Sequence, residues 1–232
     1  MQKTSFGPNK WGPIYHWNVY FLISHLPEGS LPVDVKIALV LFFESFAYLI
    51  PCIECKTHYK PKLETDPPMK YVGTKQSILQ WYINVVHNDV RKRQGKVPLS
   101  EEDVADFLES RRMIVKDKDS KDYWLPMLFW MLHTMPLVFP EEDLEYEKKK
   151  AMLEMINAIG ELIPDKDLKD EWSIVCGKWN PREYCKNKQH IVRWMVVLHN
   201  KLRVRWGTSI DNLYGYRDIV KWVFSDTEDM LP

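Results

Sequence analysis

The chain has 232 residues, 45% hydrophobic and 28% charged, which is enough apolar sequence for the core of one large or two small domains. Basic and acidic residues balance at 32 each, so nothing in the charge argues for nucleic acid or an anionic membrane as the main partner. Ten tryptophans and eleven tyrosines are an unusual aromatic load, suited to filling a core or to walling a slot for a planar ring system.

Met1 to Thr4 leads into polar sequence without an apolar signal core, so a cytoplasmic setting is expected. Trp11-Gly12-Pro13 opens an apolar segment that runs to Leu26 and stops at Pro27-Glu28-Gly29-Ser30. From Pro32 to Ile50, apolar residues recur at helical spacing (Ile37, Val40, Leu41, Phe43, Ala47, Leu49). Glu44 breaks this run, which is too short to span a bilayer. A short helix is predicted from Cys52 to about Glu64, ended by Asp66-Pro67-Pro68. Thr74 to about Gln94 reads as an amphipathic helix stopped by Gly95, with Ile78, Leu79, Tyr82, Ile83, Val86 and Val90 on one face. Ser100 to Asp103 offers a capping box for a helix reaching about Arg112, and Lys116 to Asp122 reads as a charged linker. No segment reads as a strand, so the fold class is all-α.

The chemistry concentrates at Pro51-Cys52-Ile53-Glu54-Cys55-Lys56-Thr57-His58-Tyr59. Two thiols at this spacing can close a disulfide across the first turn of a helix, whose N-terminus favours the thiolate that performs exchange. Three readings compete. A zinc half-site needs a second pair of similar spacing, which Cys176 and Cys185 do not provide. A thioredoxin-like site needs a βαβ setting, and the flanks read as helix. The third reading is a dithiol that hands electrons to a bound cofactor. A helical interaction module holding metal with Cys52, Cys55 and His58 stays open as the alternative.

The second half repeats the first. Trp11, Pro13, Trp17, Pro27 and Leu49-Ile50-Pro51 recur 113 positions on as Trp124, Pro126, Trp130, Pro140 and Leu162-Ile163-Pro164. His87-Asn88, Arg91 and Gly95 recur 112 positions on as His199-Asn200, Arg203 and Gly207, a register that sets Tyr82 against Trp194. Asp165 then stands opposite Cys52 and Leu168 opposite Cys55, so the second copy keeps the scaffold without the dithiol. The expected organisation is a catalytic unit over residues 1–115 and a degenerate helical copy over 116–232.

With these residues in hand, the first unit resembles the Erv/ALR family of FAD-linked sulfhydryl oxidases. The resemblance rests on Trp-Gly-Pro at Trp11, Pro-Cys-x-x-Cys-x-x-His from Pro51 to His58, and His-Asn-x-Val followed by Gly-Lys from His87 to Lys96. It implies a four-helix bundle with a short fifth helix and FAD at its mouth. It also implies a pseudo-dimer of the two units, a homodimer of chains, and the two-unit form found among viral members, hence a viral factory or virion. The implied reaction oxidises protein dithiols, with electrons passing from Cys52 and Cys55 to FAD and then to O2 with release of hydrogen peroxide.

Cys55 is implied as the flavin-proximal sulfur and Cys52 as the one that meets substrate. Trp11, Gly12, His16, Tyr20, His58, Tyr59, Tyr82, His87, Asn88, Val90, Arg91, Lys92 and Lys96 are the implied FAD contacts. The departures are Tyr82 where the family has Trp, Arg91 where it has a second Asn, and His16 and Tyr20 where it has Trp and His. Cys176 and Cys185 flank a turn-rich loop, and read as a structural disulfide, a shuttle pair or free thiols.

Overall fold

The computed structural model describes residues 8–112, 121–205 and 213–224. Helix α1 (Pro8–Ser24) begins ahead of the expected Trp11 and carries Pro13 inside it. It is followed by α2 (Val33–Leu49), α3 (Ile53–Thr65) and a 3-10 turn at Pro68–Lys70. Next come α4 (Lys75–Trp81), one turn of π-helix (Tyr82–His87), α5 (Asn88–Arg93) and α6 (Glu101–Arg112). The second half contains α7 (Lys121–Thr134), a 3-10 turn (Met135–Val138), α8 (Tyr146–Leu162), α9 (Lys166–Lys178), α10 (Pro181–Tyr184), α11 (Lys188–Arg205) and α12 (Tyr216–Phe224). No strand occurs among the described residues, where a lone bridge joins Ser30 to Thr74. The fold is all-α, as the sequence predicts.

Local chemistry sets the helix ends. Thr74 and Ser77 exchange side-chain and backbone bonds in a capping box that starts α4. Ser100 and Asp103 do the same for α6, the Asp103 carboxylate taking the Ser100 N–H at 2.7 Å and the Ser100 hydroxyl taking the Asp103 N–H at 3.1 Å. Gly95 ends the α4–α5 run at φ 68, a left-handed conformation that costs glycine little.

The two halves share boundaries. Val33 and Tyr146 start α2 and α8, Ile53 and Lys166 start α3 and α9, and Lys75 and Lys188 start α4 and α11, each pair 113 positions apart. The expected alignment of Tyr82 with Trp194 needs correction. Trp81 is the counterpart of Trp194, because Trp81 Nε1 donates to the Asp66 carbonyl at 2.9 Å and Trp194 Nε1 to the Trp179 carbonyl at 2.8 Å. The π-turn that follows Trp81 absorbs the one-position change in offset before His87 and His199.

The halves pack on each other mainly through α2 against α8, with α1 against α7 beside them. Both faces of α2 are therefore apolar: Leu39, Phe42, Phe43, Phe46 and Leu49 are buried. Trp17, Trp81, Trp130 and Trp194 are fully buried, each worth roughly 2–3 kcal/mol of transfer free energy. Polar groups also cross between halves. Asn18 Nδ2 donates to the Met127 carbonyl at 3.0 Å, and the Tyr15 hydroxyl lies 2.9 Å from Thr134 Oγ1.

The 115/116 boundary and most of the charged linker fall in residues 113–120, outside the described residues, as does Gly207. No helix among the described residues is long and apolar enough to cross a membrane.

Candidate active site

The Pro51 to Cys52 corner carries the chain from α2 into α3. Cys52 is the N-cap of α3, in extended backbone, and its Sγ accepts the Cys55 N–H at 3.1 Å. Cys52 and Cys55 form a disulfide with Cα atoms 5.2 Å apart. Cys55 sits in the first turn, where backbone N–H groups and the helix dipole stabilise a thiolate released when the bond opens. Ile53, between the sulfurs in sequence, is 84% exposed, and both cysteines are half-buried.

Beside the disulfide lies a cavity of about 580 Å³. Of the expected contacts, Trp11, Gly12, His16, Cys55, His58, Tyr59, Tyr82, His87, Val90, Arg91 and Lys96 line it. Cys52, Tyr20, Asn88 and Lys92 do not. The wall also holds residues that the sequence reading missed, among them Tyr15, Phe46, Ile50, Lys62, Asp89, Arg93, Leu99 and Phe107. Tyr15 was discoverable, since it stands one helical turn after Trp11 and its ring meets that indole edge-on at 5.1 Å. Phe46 and Phe107 carried no signal separating them from ordinary core.

The wall is an aromatic and imidazole stack held by hydrogen bonds. The rings of His16 and His87 stack at 3.7 Å with 6° between planes. His16 Nδ1 is 2.7 Å from the Tyr82 hydroxyl, and His87 Nδ1 is 2.6 Å from the Tyr20 hydroxyl. Tyr20 thus acts from behind the wall, on His87.

Burial, then the neighbouring His87 and Arg91, holds the His16 pKa well below its ordinary value. Burial, with Arg91 and Lys96 nearby, holds His87 down at about 4. Burial raises the Tyr20 and Tyr82 phenols, so they stay protonated. Near neutral pH the cluster is uncharged, and each Nδ1 shares one hydrogen bond with a phenol whose direction follows the imidazole tautomer. Tyr59, also buried, donates to the Phe43 carbonyl at 2.9 Å.

One rim of the cavity is cationic, with Arg91, Arg93, Lys62 and Lys96. Asp89 bridges Lys62 at 2.8 Å and Arg93 at 3.1 Å. Burial opposes ionisation of Asp89, but Lys62 and then Arg93 hold its carboxyl below the ordinary carboxylate value. Asn88 is committed elsewhere: its amide donates to the Leu99 carbonyl at 2.9 Å and accepts the Leu99 N–H at 2.7 Å. This clamp closes the loop before α6, and Asn88, an expected FAD contact, is not part of the cavity wall. Lys92 lies off the wall because its neighbours on α5 take the cavity side.

Cys176 and Cys185 are not bonded to each other. Cys185 is 3% exposed in the core, and Cys176 is half-buried on α9. Burial pushes both thiols up to about 12, which disfavours the thiolate that exchange requires. Of the three readings the sequence leaves open, the structure shows two separate thiols. Among the described residues no three His, Cys, Asp or Glu side chains cluster so as to hold a metal ion.

The second half shows the same frame with other contents. Phe129 stacks on His199 at 3.9 Å and 5°, His133 Nε2 lies 3.2 Å from His199 Nδ1, and Asn200 clamps both backbone groups of Tyr214. Asp165 caps α9 by accepting the Leu168 N–H at 2.7 Å.

Residues 16–111 match the sequence model of the Erv1 / Alr family. A protein of Acanthamoeba polyphaga mimivirus, described as a probable FAD-linked sulfhydryl oxidase, is 27% identical over 122 residues, covering 50% of this chain and 80% of the relative. No solved structure matches the chain. The segment that matches the Erv1 / Alr family model, residues 16–111, is the one that contains the disulfide, the stacked histidines and the cationic rim.

Proposed function

We propose that the chain is an FAD-dependent sulfhydryl oxidase that makes disulfides in protein dithiols. The observation that carries this reading is the two-sided disulfide: Cys55 forms part of the cavity wall, while Cys52 lies off that wall beside exposed Ile53. The likeness to the mimivirus protein named a probable FAD-linked sulfhydryl oxidase supports it.

The residues suit the cofactor. Gly12 is buried and lines the cavity, yet a Cβ built there meets no protein atom within 4 Å, so space beside it is left for another group. Aromatic and imidazole walls suit a flat ring system, and Arg91, Arg93, Lys62 and Lys96 suit a diphosphate. Bound FAD would accept two electrons from the dithiol and pass them to O2, giving hydrogen peroxide.

The chain's own steps are exchange steps. A substrate thiolate attacks Cys52 Sγ, the Cys52–Cys55 bond breaks, and Cys55 leaves as a thiolate at the head of α3. A second substrate thiolate then attacks the substrate sulfur of the mixed disulfide, which releases the oxidised substrate and the Cys52 thiolate. The neutral His16–His87 stack adds no charge of its own to the wall, and the Cys52–Cys55 bond re-forms as the dithiol gives up two electrons on the cavity side, where FAD would accept them.

Residues 121–224 are proposed as a degenerate copy of the first unit, in which Asp165 and Leu168 stand for the two cysteines. A homodimer of chains is carried over from the resemblance and is read out by the mass in solution. The function is tested by purifying the chain with FAD. Flavin absorbance that co-elutes with protein, with oxygen consumption on adding a reduced dithiol, is expected. A protein that takes up no flavin and consumes no oxygen contradicts the reading.

A further inference from the structure

We infer that the π-turn at Tyr82–His87 is what adapts the first half to hold the flavin, by inserting one residue that brings the Tyr82 hydroxyl to His16. This rests on the flavin reading above and adds a positioning device to it.

The two halves provide the comparison. On the N-terminal side, Trp81 and Trp194 make the same indole bond, to the carbonyls of Asp66 and Trp179. On the C-terminal side, His87 and His199 are stacked alike, on His16 and on Phe129. Between these anchors the first half has Tyr82-Ile83-Asn84-Val85-Val86, and the second has Met195-Val196-Val197-Leu198, one residue fewer. The second half spans the gap with unbroken α-helix, within Lys188–Arg205. The first half spans it with a π-turn, in which the Asn88 N–H reaches back to the Ile83 carbonyl.

The scaffold therefore closes without the extra residue. A π-turn has poorer intrinsic stability than the α-turn it replaces, and such turns gather at functional sites. What the first half gains is local. Tyr82 and Val86 both face the cavity, and the Tyr82 hydroxyl meets His16 Nδ1 at 2.7 Å. The second half has Phe129 in place of His16, a ring that offers no nitrogen to orient. The π-turn and the Tyr82–His16 pair thus occur together in one half, while the other has unbroken helix and Phe129. Tyr82 is on this account a positioning residue: it fixes the tautomer and tilt of His16 in the wall.

The test is to delete Asn84 from the full chain. Asn84 is exposed, and its amide bonds Gln80, so its loss removes little packing. The expected product keeps wild-type helicity and an oxidisable Cys52–Cys55 pair, but binds FAD at least about 10-fold more weakly, equivalent to ~1.4 kcal/mol. A folded deletion variant with wild-type FAD affinity overturns the inference. Should the deletion not fold, Tyr82→Phe leaves the backbone intact. It is expected to weaken FAD binding several-fold and shift the visible spectrum of the bound flavin, and an unchanged affinity and spectrum overturn the inference equally. If the unaltered chain binds no FAD, the flavin reading itself fails. If unaltered and altered chains bind alike, the π-turn's role alone fails.

Discussion

At the heads of α3 and α9 the chain solves one capping problem with two chemistries. In the first half the Cys52 sulfur accepts the Cys55 N–H, and in the second the Asp165 carboxylate accepts the Leu168 N–H. One turn on, Tyr59 and Trp172 reach the matching carbonyls of Phe43 and Ile156. Tyr59 leaves a cavity beside it, whereas Trp172 presses on Gly160 so closely that a Cβ there would sit 2.7 Å from the ring. The helix is capped in both places, so a dithiol is not required to start it. Sulfur at the cap and empty space beside the ring are features of one half, superimposed on a frame both halves share.

The largest expected effect comes from converting one half toward the other. Cys52→Asp with Cys55→Leu copies the second half onto α3, keeps an N-cap of a preferred type, and should drop dithiol-dependent oxygen consumption to background. Its melting temperature should stay within a few degrees of wild type, roughly the effect of 1 kcal/mol. A collapse in stability would mean that the sulfurs are structural. Next is Trp172→Ala, which empties the plugged position and should cost about 3–5 kcal/mol in chemical denaturation. Tyr59→Phe, at the matching site, removes one hydrogen bond and should cost about 1 kcal/mol. Equal losses would break the contrast between plug and cavity wall.

Acid should weaken both halves. Burial holds His87 at about 4, His133 at about 3 and His199 at about 2, against an ordinary 6.5. The unfolded chain takes up these protons first. The stability of the neutral rings is therefore complete above pH 6.5 and declines as pH falls through 6.5, toward about 4 for His87 and lower for the other two. Urea midpoints at pH 7.5 and 5 should differ in that direction, and a flat profile contradicts neutral buried rings. The smallest effect is at the loop clamps. Asn88→Ala should cost about 1–2 kcal/mol, and Asn200→Ala less because its bonds to Tyr214 are exposed.

Helix ends were legible because their causes are local: the Ser100–Asp103 box and the left-handed Gly95 depend on a few adjacent residues. The dithiol and His87 were legible because ordered spacing carries them. Other features depend on distant partners. The Asn88–Leu99 clamp forms only once the loop brings Leu99 back beside α5. The pairing of Tyr82 with Trp194 came from one constant offset, which cannot reveal an extra residue inside an apolar run. Cys185 stands near a turn-rich loop in sequence, yet its side chain is drawn into the core. Phe46 and Tyr15 belong to helix faces that any buried helix presents, and a wall differs from a core only by what is missing beside it.

The bonds that Asn18 and Tyr15 send to Met127 and Thr134 bear on how the protein can be dissected. Tyr15 is at once cavity lining and a peg lodged in the neighbouring helix, so severing the chain after α6 would unfasten that lining and strip α2 of its cover. The smallest excisable oxidase is, on this geometry, the whole two-part chain.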